Sequence, residues 1–204
     1  MPIVFAAISP QPPIILPDVG SEQDRKKVKR TIESLEGLGK KLKESNPDAI
    51  IISAPHPDWG FNVPLHFLAN DFKGKTETFL IGLEPPIFCF EKGKEIYRNL
   101  EKNKNYALIA SGDMSHCLKE DGPYGFNSQG SKFDKALTDS LKNKDIETIL
   151  KLDETYPEAA ECGLRSFCFM LGILEESKTN YQPEILSYEG PFGVGYLVAN
   201  FKLK

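Results

Sequence analysis

The hydrophobic pattern of the chain contains several short, continuous apolar runs. Runs of this length that are apolar on both faces are typical of buried strands in a parallel sheet. They occur at residues 3–9, 49–54 and 106–110. Four further strands are predicted, the last two as an antiparallel pair with a glycine-rich connection, at 63–68, 76–81, 185–189 and 194–201.

Apolar residues at helical spacing separate these strands. The clearest stripe belongs to a helix predicted over 21–45 with Ser21 as its N-cap, and it consists of Val28, Ile32, Leu35, Leu38 and Leu42. Thr155 and Glu158 form a capping-box pattern at the start of a late helix. The remaining helices are predicted at 94–102, 133–141, 146–152 and 157–174.

This alternation of strands and helices predicts βαβ units, because parallel strands need a crossover connection. The predicted fold class is therefore α/β, a three-layer α/β/α arrangement with a central, mostly parallel but mixed sheet. Neither an internal repeat nor a linker interrupts the pattern, so residues 1–204 are predicted to form a single domain.

The composition narrows the class of protein. Hydrophobic residues make up 40% and charged residues 26% of the 204, which is an ordinary globular balance. A net charge of −4 gives no reason to expect nucleic acid or an anionic membrane as partner, and the basic stretch at 25–30 is interpreted as a solvated helix face. No apolar run approaches the roughly 20 residues that cross a bilayer. Four cysteines without a C-x-x-C pair and without a signal-peptide pattern predict a cytoplasmic location.

Polar residues follow three of the strands predicted to be parallel. Gln11 follows the first, His56 the second and His116 the strand at 106–110. The carboxyl ends of parallel strands meet at one edge, so these side chains are expected to share a pocket there. Two histidines with a carboxylate suit either a transition-metal site or an acid–base site, and the residues alone leave both open. His66 is interpreted as a strand residue without a special role.

Five segments, taken in order, carry a resemblance to a known family. They are Ile8-Ser9-Pro10-Gln11-Pro12-Pro13, Ser53-Ala54-Pro55-His56, Ser111-Gly112-Asp113-Met114-Ser115-His116, Glu161-Cys162-Gly163-Leu164-Arg165 and Ser187-Tyr188-Glu189-Gly190-Pro191-Phe192-Gly193-Val194-Gly195-Tyr196. The chain resembles the LigB-like domain of AmmeMemoRadiSam system proteins, which is related to class III extradiol ring-cleavage dioxygenases and to Memo-type proteins. The resemblance covers nearly the whole chain and implies the corresponding LigB-like, phosphorylase/hydrolase-like α/β fold.

The resemblance also implies roles for particular residues. It makes His56 a metal ligand and His116 the acid–base catalyst, with Asp113 of the same segment in the catalytic set. It implies a carboxylate ligand from the later part of the chain, for which Glu161 is the candidate and Glu189 a weaker alternative. Memo-type proteins place a cysteine by the pocket, and Cys162 matches it. Neighbours on a helix point about 100° apart, so Glu161 and Cys162 are alternatives.

One position departs from the family pattern: Gln11 stands where the resemblance implies a first-loop histidine. A neutral amide oxygen is a poor ligand for Fe(II). Two hypotheses follow. The first is a non-heme, metal-dependent oxidoreductase that uses Fe(II), zinc or copper on a catechol-type aromatic. The second is a Memo-like, non-catalytic protein with a degenerate metal site, which keeps the pocket to bind a small molecule or a protein partner. A homo-oligomer is compatible with either.

Aromatic residues are the last feature of the predicted pocket side. They either stack an aromatic substrate or pack the loops, and the sequence favours neither; the residues are Trp59, Phe61, Tyr124 and Phe126.

Overall fold

The structure is a computed structural model that describes residues 3–204. Within this range the chain forms one six-stranded mixed sheet with helices on both faces, which confirms the predicted three-layer α/β fold. The strands are β1 Ile3–Ser9, β2 Ala49–Ala54, β3 Lys75–Leu80, β4 Tyr106–Ser111, β5 Tyr181–Glu189 and β6 Tyr196–Leu203. The helices are α1 Glu22–Lys27, α2 Lys29–Ser45, α3 Asp58–Leu68, α4 Pro86–Asn99, α5 Ser128–Asn143, α6 Ile146–Ile149, α7 Leu152–Thr155 and α8 Leu164–Ser177, with a 3₁₀ turn at Pro13–Ile15.

The strand order is β3-β2-β4-β1-β6-β5. The pairs β2–β3, β2–β4 and β1–β4 are parallel, whereas β6 runs antiparallel to both β1 and β5. Ser9 pairs with Ser111, and Ser53 with Ala110, so β1, β2 and β4 end at the same level. The loops that follow these three strands therefore leave from one edge of the sheet.

The core lies on both faces of the sheet, which explains the continuous apolar runs. In β2, Ile51 packs on the face covered by α4 and α8, while Ile50 and Ile52 pack on the face covered by α2 and α3. A strand buried on both sides has no polar face, so its sequence reads as an unbroken apolar run.

Residues 63–68, predicted as a strand, belong to α3, and this prediction was wrong. The buried positions of α3 are Gly60, Val63, Pro64 and Leu68, a helical spacing that a short apolar run conceals. His66 consequently lies on a helix. The loop predicted after β2 is also shorter than expected, because α3 begins at Asp58.

Two other helix predictions need correction. The helix predicted over 21–45 divides at Val28, although Ser21 is confirmed as its first N-cap, since its Oγ accepts from Asp24 N at 3.1 Å. The late helix begins at Leu164 rather than 157, and Thr155 ends α7 instead of starting a capping box. None of the helices in residues 3–204 is both long and apolar enough to cross a membrane.

Candidate functional site

The loops after β1 and β2 meet at the shared sheet edge. A Cβ atom built on Gly60 would lie 3.0 Å from Gln11 Oε1 and 3.4 Å from the His56 Cβ, so both side chains flank this glycine. Burial lowers the pKa of His116, and the neighbouring His56 lowers it further. The expected convergence of Gln11, His56 and His116 is therefore present in the structure.

A group of three side chains that could hold a metal ion lies at this edge of the sheet. Within residues 3–204, Asp113, His116 and Cys162 place one ligand atom each within 4.8 Å of the others. Asp113 and His116 lie in the loop after β4, and Cys162 precedes α8. The group brings together a carboxylate, an imidazole and a thiol.

Backbone hydrogen bonds join the two segments that carry this group. The Asp113 carbonyl accepts from the Cys162 N–H at 3.4 Å and the Gly163 N–H at 2.9 Å, and the His116 N–H donates to the Ala160 carbonyl at 3.2 Å. The approach requires glycine, because a Cβ on Gly112 would lie 2.3 Å from the Gly163 Cα. The relative position of thiol and carboxylate is thus set by the main chain.

Gln11 lies beneath this group and is only 1% exposed. Its backbone N–H donates to Asp113 Oδ1 at 2.9 Å. Its Oε1 accepts from Ser111 Oγ at 3.0 Å, and its Nε2 donates to Cys162 Sγ at 3.6 Å. The backbone N–H and the side-chain NH₂ of Gln11 are therefore hydrogen-bonded to two members of the group, and its side-chain oxygen is hydrogen-bonded to Ser111.

Burial shifts the titration of all three members of the group. It raises the pKa of Asp113 to about 7, although the hydrogen bond from the Gln11 N–H favours the carboxylate and lowers this pKa. It raises the pKa of the Cys162 thiol well above its usual value, with a further contribution from Asp113, and it lowers the pKa of His116. Each shift favours the uncharged form, and a bound cation would favour the carboxylate and thiolate instead.

The two glutamates considered as ligands are engaged elsewhere. Glu161 accepts from Leu164 N at 2.7 Å and pairs with Arg165 Nη1 at 3.1 Å, so its carboxylate caps α8. Glu189 Oε2 accepts from both the N–H and the Oγ1 of Thr31 at 2.7 Å, near the start of α2. The structure therefore groups Cys162, and neither glutamate, with Asp113 and His116.

Aromatic rings lie beside the two pocket histidines. The Trp59 ring centroid is 5.5 Å from that of His56, and the Tyr124 centroid is 5.8 Å from that of His116. Trp59, Tyr124 and Phe126 are exposed, whereas Phe61, which lies with Trp59 on α3, is partly buried and packs against the core. Three of the four aromatic residues expected on the pocket side are thus available to solvent or a ligand.

Sequence reasoning missed two relationships in this site. It assigned Asp113 and His116 to the catalytic set and Cys162 to the metal ligands, and did not predict that the three residues form one possible ligand group. The close spacing of Asp113 and His116 in the segment after β4 was a usable signal that these two residues belong together. The contact between Gln11 and Cys162 had no sequence signal, because 151 positions separate the two residues.

Comparisons with known proteins agree with the fold and with the family resemblance. The family model described as the catalytic LigB subunit of aromatic ring-opening dioxygenase matches residues 54–199. Protein CA_C1420 of Clostridium acetobutylicum is 34% identical over 92% of this chain, which corresponds to 55% of that protein. The chain thus spans about half the length of that curated relative. A crystal structure of the uncharacterized protein JW3007 from Escherichia coli K12 shares the fold, with a TM-score of 0.64 and 15% identity over 96% of this chain and 98% of that one.

Proposed function

Because this chain belongs to the LigB family of aromatic ring-opening dioxygenase catalytic subunits, we propose that it binds one transition-metal ion through Asp113, His116 and Cys162. We further propose that it acts on a small, catechol-type aromatic molecule as a metal-dependent oxidoreductase. The observation that carries this proposal is the convergence of three ligand types within 4.8 Å at the carboxyl edge of the sheet.

The residues fit a metal on two further grounds. The Nδ1 atom of His116 is buried and has no hydrogen-bond partner among the described residues, which is costly unless something else binds it. The sulfur of Cys162 accepts N–H groups from Gln11 and from the Asp113 backbone, at 3.6 Å and 3.3 Å, hydrogen bonds that a metal-bound thiolate would also accept. Thiolate and imidazole ligands select iron, copper or zinc over magnesium and calcium.

The donor set differs from the two-histidine, one-carboxylate set of non-heme Fe(II) oxygenases. Here His116 belongs to the ligand group, and His56 lies beside it without a hydrogen bond that would define its role. We therefore assign the acid–base role to His56, whose half-buried imidazole lies next to the ligand group, because histidine is a common general acid or base. A metal bound by Asp113, His116 and Cys162 would supply a Lewis acid for the oxygen atoms of the substrate and a redox centre for O₂. Trp59 and Tyr124 would flank the aromatic ring of the substrate.

Metal analysis tests the proposal directly. Protein purified under nitrogen and loaded separately with Fe(II), copper or zinc is expected to retain close to one equivalent of at least one metal. Cys162→Ser and His116→Ala should lose it, whereas Cys168→Ala, which removes a buried thiol from α8 outside the group, should retain it. Oxygen uptake with catechol and protocatechuate as substrates then tests turnover. No retained metal in any preparation would refute the proposal.

A second candidate function is ligand binding without catalysis, and Gln11 favours it. The amide of Gln11 is buried, and both of its ends are already hydrogen-bonded, to Cys162 and to Ser111. Calorimetry with catechol, run with and without metal, separates the two functions. Saturable catechol binding without oxygen uptake by the metal-loaded protein would support the binding function.

A further inference from the structure

Gln11 touches two of the three residues in the proposed ligand group and is fixed by a third neighbour. Its main chain donates to Asp113, its side chain donates to Cys162, and its side-chain oxygen accepts from Ser111. These partners lie 102, 151 and 100 positions away along the chain. Gln11 is thus the point at which the loop after β1 joins both segments of the group.

Ser111 determines which way the amide of Gln11 faces. Its hydroxyl donates to Gln11 Oε1 at 3.0 Å, which leaves the NH₂ end of the amide toward the Cys162 sulfur. The Asp113 backbone N–H approaches the same sulfur at 3.3 Å. Two N–H groups aimed at one sulfur atom restrict the direction in which the Cys162 side chain can point.

We propose that Gln11 is a positioning residue, which holds the Cys162 sulfur and the Asp113 carboxylate in place for the metal. Gln11 stands at the position where the family resemblance implies a metal ligand, and it contacts the site through hydrogen bonds instead. The inference rests on the proposed function, because it concerns the same metal site. Groups that orient metal ligands in this way typically contribute about 10- to 100-fold to metal affinity.

Cobalt(II) is the probe for this inference, because a cobalt–thiolate bond gives a near-ultraviolet charge-transfer band that reports on Cys162 itself. Gln11→Met keeps the length of the side chain and removes both amide hydrogen bonds. Ser111→Ala leaves Gln11 in place and removes the bond that orients its amide. Ser53→Ala is the matched control, since it removes a buried serine hydroxyl from β2 that bonds to Ser166 and not to Gln11.

We expect Gln11→Met to weaken cobalt binding by about 10- to 100-fold and to shift or weaken the thiolate band. Ser111→Ala should change both readouts in the same direction by less, and Ser53→Ala should match the wild-type protein. Unfolding midpoints from circular dichroism establish that each variant is folded. If Gln11→Met does not fold, Ser111→Ala decides: a wild-type band and affinity in that variant overturn the inference.

The outcomes separate this inference from the proposed function. Cobalt bound with a thiolate band in the wild-type protein, and unchanged in both variants, overturns the positioning role alone. Wild-type protein that binds no cobalt, or binds it without a thiolate band, overturns the ligand role of Cys162 and the inference with it.

Discussion

The ring of Trp59 lies beside that of His56, with 5.5 Å between centroids and an interplanar angle of 36°. Trp59 is 44% exposed and is the single tryptophan of the sequence. The intrinsic fluorescence of the protein therefore arises next to the proposed acid–base histidine. Ligand binding near His56 can therefore be followed by the fluorescence of Trp59.

Metal binding should change this fluorescence. Cobalt(II) is paramagnetic and quenches a nearby indole, so we expect saturable quenching of Trp59 that ends at one equivalent. Cys162→Ser should abolish the saturable phase, and Cys168→Ala should preserve it. A linear, non-saturating decrease that is the same in all three proteins would contradict a specific site beside Trp59.

Glu161 should be important for stability and dispensable for metal binding. Its side chain is 8% exposed and pairs with Arg165, so Glu161→Gln weakens a buried, charge-assisted contact and should cost about 1–3 kcal/mol of unfolding free energy. Urea unfolding measures this loss, and elemental analysis measures the metal. The metal content should equal that of the wild-type protein; its loss would restore Glu161 as a ligand.

Asp134 should make stability depend on pH. Its carboxylate accepts from Ser115 N at 2.8 Å and from the Tyr188 hydroxyl, and burial raises its pKa from 3.8 to about 6. The folded state therefore binds this proton more tightly than the unfolded state. The contribution is fully present below pH 4 and is lost as pH rises through 6, a change of about 3 kcal/mol for a pKa displaced from 3.8 to about 6.

Asp134→Asn tests this dependence, because the amide keeps hydrogen-bonding groups for both neighbours and does not titrate. Relative to this variant, the wild-type protein should lose stability between pH 4 and pH 6, measured by urea midpoints at each pH. Asp139→Asn, at a half-exposed position on the same helix, is the control: relative to this variant, which keeps Asp134, the wild-type protein should show no such loss. A constant difference between wild type and Asp134→Asn across this range would show that the folded pKa is not raised.

Gly112 should be essential to the arrangement of the ligand group. Gly112→Ala places a methyl group 2.3 Å from the Gly163 Cα, so the segments carrying Asp113 and Cys162 must move apart. We expect metal affinity to fall by at least tenfold. Gly37→Ala is the matched control: nothing lies within 4 Å of its Cβ position on α2, so it should raise stability by about 0.5–1 kcal/mol and leave the metal in place. Wild-type metal affinity in Gly112→Ala would contradict the close approach.

The framework of this protein is encoded locally. The apolar runs of β1, β2 and β4 indicate buried strands by themselves, and the parallel pairing of these strands brings the loops with Gln11, His56 and His116 to one edge. Strand identity depends on neighbouring residues and on burial of both faces, which a sequence pattern records. Where the pattern is short, as at residues 63–68, a helix and a strand look alike, and there the prediction was wrong.

The chemistry of the pocket was decided by tertiary structure. From the sequence, the adjacent residues Glu161 and Cys162 are alternative metal ligands. In the structure, the Glu161 carboxylate binds Arg165 and the Leu164 N–H, whereas the Cys162 sulfur contacts Asp113. The orientation of the Gln11 amide likewise depends on Ser111, which lies 100 positions away. Local sequence specifies which side chains reach an edge, because it forms the strands. The direction in which a side chain points depends on hydrogen-bond partners that only the folded chain brings within reach.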